Sequence, residues 1–243
     1  PNDSFPANPF DARQMVDYLA DNLAEARSLI WTLNIELTPV YAIDPVGPFA
    51  REVYEGLVTL LDGEIQAETA EDYVERVSIP GRLTGRTVRL FSGQVVPVIE
   101  PQNTRGLYGW RTNVLVQQAL EESGVEDPSA IELSLSGFLN RVYYDLRNLG
   151  KTSRDRAMNF SVTNAFQAAS SFGDALAAGM QLDDIEVTKS PFCRMDSDCW
   201  DIKLKFFDPE NDQRAKRIYR YTVDVSDLIP VTMGEVRSWT ASN

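Results

Sequence analysis

The sequence predicts an α+β fold, with helices in the N-terminal and middle regions and antiparallel hairpins that end in a C-terminal three-stranded sheet. Three observations carry this. Residues 10–34 and 131–149 place apolar side chains at helical spacing. Residues 185–188, 200–206 and 219–225 alternate apolar with polar, as an antiparallel sheet with one buried and one wet face requires. Strands do not alternate regularly with helices, which argues against a doubly wound parallel sheet.

Asn8-Pro9 opens the first helix, because proline at an early helical position has no N–H to leave unpaired. Val16, Leu19, Leu23, Ile30 and Leu33 extend it from Phe10 to about Asn34. Leu37 to Ile43 reads as a strand, and Pro39 within it points to a sheet edge. Gly47-Pro48 opens a second helix carrying Val53, Leu57 and Leu60, with Gly63 as its C-terminal stop. Residues 64–73 form an acidic loop, and residues 74–99 are β structure turning at Phe91-Ser92-Gly93-Gln94, with Pro97 again suggesting an edge.

Residues 111–122 and 128–149 read as helices, the second opened by Asp127-Pro128 and closed by Gly150. Thr152 and Asp155 fit a capping box for a helix over 153–178. Its many Ala, Ser and Gly residues suit either a buried central helix or one wall of a peptide groove. No linker, low-complexity tract or repeat divides the chain, so residues 1–243 read as one domain with a weak junction near 101–106.

The chain has 23 basic and 36 acidic residues, a net charge of −13, so phosphate backbones and anionic lipid repel it. Neither nucleic acid nor membrane is an expected partner. No run of about 18 apolar residues predicts a membrane-spanning helix. The chain begins at Pro1 without Met and without a basic-then-apolar leader, so the expectation is a cytoplasmic domain excised from a larger protein.

The chain contains no histidine. Ser-His-Asp and Cys-His nucleophile activation are therefore impossible within it, as are histidine metal ligands. Glycine-rich phosphate loops and the G-x-S-x-G nucleophile elbow are also absent. Asp208, Glu210 and Asp212 sit at EF-hand spacing, but Gln213 replaces the turn glycine and Tyr219 the bidentate glutamate.

Cys193 and Cys199 are the two cysteines, in one loop between strands. They read as unlinked thiols, as a disulfide, or as half of a structural zinc site. Asp196 and Asp198, or the same cysteines from a second copy across a twofold axis, would complete the zinc site. Arg76, Arg82, Arg86 and Arg89 fall in a stretch free of carboxylates, and Arg141, Arg147, Lys151, Arg154 and Arg156 cluster around a helix–helix turn. Arg82, Arg86, Arg89, Arg147, Lys151 and Arg154 are candidates for docking an acidic peptide or a neighbouring domain. Tyr108, Trp110, Tyr143 and Tyr144 are either pocket walls or core.

The runs at 8–50, 86–99 (RTVRLFSGQVVPVI), 138–167 and 190–212 (SPFCRMDSDCWDIKLKFFDPEND) resemble the C-terminal domain of the PatG and PatA class of cyanobactin-maturation proteases, the patellamide pathway. The resemblance covers essentially the whole chain. It implies an accessory domain of unknown function whose parent carries a separate subtilisin-like protease domain, so no family catalytic residues transfer. With no activated nucleophile or cofactor loop in the chain, the expectation that goes with this resemblance is a non-catalytic accessory domain that dimerises the parent, as a homodimer, or docks precursor peptide and partner enzymes. A carboxylate- or metal-dependent enzyme acting on the peptide, and a purely structural dimerisation module, stand as alternatives.

Overall fold

The computed structural model describes residues 7–111, 148–167, 175, 180–211 and 214–241. The chain divides into two compact units, Pro1–Arg111 and Thr112–Asn243. The expected helices over 111–122 and 128–149, and the small-residue segment beyond 167, fall almost wholly outside the described residues.

In the first unit, helix α1 (Ala12–Asp21) is capped by Asp11, whose carboxylate accepts from the backbone N–H of Arg13 and Gln14. Its inner face buries Met15 and Leu19. The helix stops far short of Asn34. Asn22 leaves the helical region at φ −126°, and its amide donates to the Tyr18 carbonyl at 3.0 Å, occupying a helix-terminal acceptor. A 3-10 turn (Leu23–Ser28) follows, and then Trp31–Ile35 is strand β1. Helical periodicity here spanned three different elements, because Leu23 and Leu33 reach the same core by different backbone routes.

Strands β1, β2 (Thr38–Ile43), β4 (Arg82–Arg89) and β5 (Val95–Glu100) form a sheet in the order β1-β2-β5-β4. β2 and β5 run parallel, joined at Ala42–Val98 and Ile43–Ile99, and helix α2 (Ala50–Glu64) lies in the connection between them. Both prolines that pointed to edges lie on interior strands. The β2–β5 ladder begins only at Ala42 and Val98, so Pro39 and Pro97 precede it and no N–H is missed there.

The core of this unit lies on one sheet face, where Tyr41, Ile43 and Ile99 meet Met15, Leu19, Val53 and Leu57 of the two helices. Ala42, Val96 and Val98 form a smaller cluster from the alternate positions. Gly63 lies within α2 and is buried. It does not end the helix; a Cβ there would come within 2.4 Å of Val74 Cγ2. Strand β3 (Arg76–Ser78) pairs with β6 (Tyr108–Trp110), which buries Trp110 completely.

In the second unit, helix α3 (Ser153–Gln167) starts with the expected capping box. Thr152 Oγ1 accepts from the Asp155 N–H at 3.1 Å, and the Asp155 carboxylate accepts from the Thr152 N–H at 3.2 Å. Strands β7 (Gln181–Lys189), β8 (Cys199–Phe207) and β9 (Lys216–Asp224) form the expected antiparallel core. The sheet is wider than three strands: β10 (Val231–Thr232) and β11 (Arg237–Ala241) both pair with β9. Ile202, Leu204, Phe206, Tyr219, Tyr221 and Val223 fill its apolar face.

Candidate functional site

Three places gather the chemistry. The first is the loop between β7 and β8. Cys193 and Cys199 are paired there as a disulfide, with Cα atoms 5.5 Å apart. Cys199 is fully buried at the start of β8, and Cys193 is half-buried. The zinc reading needs two thiolates, and these sulfurs are bonded to each other. Asp196 is exposed on a left-handed backbone (φ 71°). Asp198 is engaged elsewhere: its Oδ1 accepts from Trp200 Nε1 at 2.8 Å and pairs with Lys189. The Lys189 hydrogen bond is the main cause holding the Asp198 carboxyl below its ordinary range. Among the described residues, no group of three or more Cys, Asp and Glu side chains could hold a metal ion.

The basic candidates do not converge. Arg86 is held by Asp44 at 2.8 Å and Glu100 at 2.6 Å, which strengthens its hold on its proton. Arg82 pairs across the ladder with Glu100, and Arg89 with Val95, on opposite sheet faces. In the second unit, Arg154 donates to the Val187 carbonyl at 3.5 Å, and Arg156 to the Val225 carbonyl at 2.6 Å. These two arginines tie α3 to the sheet. Lys151 is exposed beside Gly150, and Arg147, Tyr143 and Tyr144 lie outside the described residues. Half-buried Tyr108 packs edge-on against fully buried Trp110, with ring centroids 5.6 Å apart.

The second place was not visible in the sequence. Because β2 and β5 run parallel, the turns that precede them lie at the same end of the first unit's sheet. Leu37 in one turn is 95% exposed and Phe91 in the other is 91% exposed. Phe10, 75% exposed, stacks edge-on against Phe91 with ring centroids 5.6 Å apart. Gln94 links the two turns by donating to the Pro39 carbonyl at 2.7 Å. Large apolar side chains left in water together mark contact surfaces.

The third place is the polar face of the C-terminal sheet. Lys203 donates to Glu186 at 2.8 Å, and Lys205 reaches both Asp184 and Glu186 at 3.0 Å. These hydrogen bonds, from Lys203 first, hold Glu186 below its usual range. Asp201 is buried on this face and accepts from the Thr222 hydroxyl at 2.7 Å. Alternation assigned these residues to the wet face, but the register that makes them neighbours is a property of the assembled sheet.

Two family models match the chain, one described as PatG C-terminal over residues 127–239 and one described as PatG Domain over residues 3–85. A solved structure described as "PatG Domain of Unknown Function" is 56% identical, with a TM-score of 0.91, over 97% of this chain and 89% of that one. No curated protein matches the chain.

Proposed function

This chain belongs to the PatG family of domains of unknown function, and from that premise we propose that it is a non-catalytic accessory domain in the biosynthesis of ribosomal cyclic peptides of the cyanobactin type. It holds proteins together and leaves the peptide chemistry to other domains. The lack of histidine supports this, since the commonest activators of serine and cysteine nucleophiles are missing.

The observation that carries the reading is the apolar end of the first unit's sheet. Phe10, Leu37 and Phe91 stand in water on two hairpin turns and the adjoining helix start. Aromatic and aliphatic anchors of this kind dominate the cores of protein interfaces. We assign the partner as a second copy of the chain, so that the domain dimerises its parent protein. The three side chains at the contact are neutral, so they add no charge to the repulsion between two chains of net charge −13, which salt screens.

Incubating the chain with a precursor peptide tests the non-catalytic half of the reading. Mass spectrometry should return the peptide at unchanged mass. A cleaved, cyclised or otherwise altered peptide would overturn it.

A further inference from the structure

A row of cations crosses the polar face of the C-terminal sheet. Lys203 on β8, Arg220 on β9 and Arg237 on β11 are direct cross-strand partners, 203 with 220 and 220 with 237. Direct partners in an antiparallel ladder project from the same face with Cα atoms roughly 5 Å apart. Like charges placed directly opposite cost stability unless something compensates them.

The compensation runs out along the row. Lys203 has Glu186 at 2.8 Å. Among the described residues, Arg220 has only Asp201, 3.8 Å from its Nη1, which is an ion pair outside hydrogen-bond range. Asp201 is already bonded to Thr222, and the Arg220 Nε is buried with no hydrogen-bond partner among the described residues. Arg237 is exposed and makes no hydrogen bond or ion pair among the described residues. Next to it on the same face of β11 is Trp239, 40% exposed and paired in register with Ile218.

We propose that Arg220 and Arg237 form a binding site for a small oxyanion, a carboxylate or phosphate group, on the polar face of the C-terminal sheet. Guanidinium forks match the paired oxygens of both anions, so two neighbouring forks suit this ligand chemistry better than ammonium groups. Trp239 offers an apolar surface to the body of a ligand that carries the anion at one end.

The test is isothermal titration of the full chain with three probes: pyrophosphate, a short peptide with a free C-terminal carboxylate, and the same peptide amidated. Saturable binding of pyrophosphate or of the free-acid peptide is expected, weakened about tenfold in Arg237→Gln by loss of a charge-assisted hydrogen bond. Pyrophosphate binding alone identifies a phosphate ligand, and free-acid binding lost on amidation identifies a carboxylate. Arg237→Gln lies on an exposed strand and should keep the wild-type melting temperature. If its fold is perturbed, Arg220→Lys serves instead, keeping the charge while removing the fork. The proposal is overturned if neither anion binds saturably, or if binding is the same in wild type and both variants.

Discussion

Lys189 and Trp200 meet at one oxygen of Asp198: the ammonium pairs with it, the indole N–H donates to it at 2.8 Å, and the Lys189 Nζ also lies 5.1 Å from the centre of the Trp200 ring. This trio closes the base of the disulfide loop. The Asp198 backbone joins the same point to the chain after β9, donating to Ser226 Oγ at 2.8 Å and accepting from the Val225 N–H at 2.9 Å. Asp198→Ala should destabilise the chain by about 1 kcal/mol, a charge-assisted bond discounted for partial solvent exposure. Chemical denaturation measures it.

The disulfide closes a short loop, and short loops lose little entropy when unfolded. Reduction of Cys193–Cys199 should therefore lower stability by about 2 kcal/mol and leave the chain folded. Denaturation with and without a phosphine reductant checks this. A free-thiol count of two before reduction would contradict the pairing.

Gly63 has a packing role. Gly63→Ala should cost roughly 1–3 kcal/mol, because its methyl would overlap Val74 and the core cannot expand without strain. Pairing it with Val74→Ala should recover part of the loss, measured as a double-mutant cycle. An alanine tolerated without cost would contradict the packing argument.

The pH profile should be one-sided. Glu186, held chiefly by Lys203, and Asp224, held chiefly by the Ser226 hydroxyl, have lowered carboxyl pKa values in the folded state, as does Asp198. A lowered folded value means the folded state favours the ionised form. The stabilisation is then full above the unfolded carboxylate range near pH 4 and is lost as pH falls through the lowered folded values. With no histidine to titrate, the melting temperature should stay nearly flat between about pH 6 and 8. A step in that window would contradict this.

Legibility in the sequence followed the range of the interaction. The Thr152–Asp155 capping box and the three long strands of the C-terminal sheet were readable, because both depend on residues a few positions apart. The end of α1 was misread because Leu23, Ile30 and Leu33 keep a helical spacing while Asn22 caps the helix early. Pro39 and Pro97 misled because a proline forbids a ladder bond only at its own position, and the β2–β5 ladder begins beyond both. The pairing of Phe10 with Phe91 and the alignment of Lys203, Arg220 and Arg237 depend on contacts or strand registers between distant residues, which no local pattern encodes.

The most direct test of the central claim is sedimentation equilibrium of the wild-type chain beside a Leu37→Ser/Phe91→Ser double variant, over a range of concentrations. The account predicts a wild-type particle at twice the 27.2 kDa chain mass and a variant at the single-chain mass with an unchanged fold. A wild-type monomer throughout, or a dimer that survives both substitutions, would contradict it.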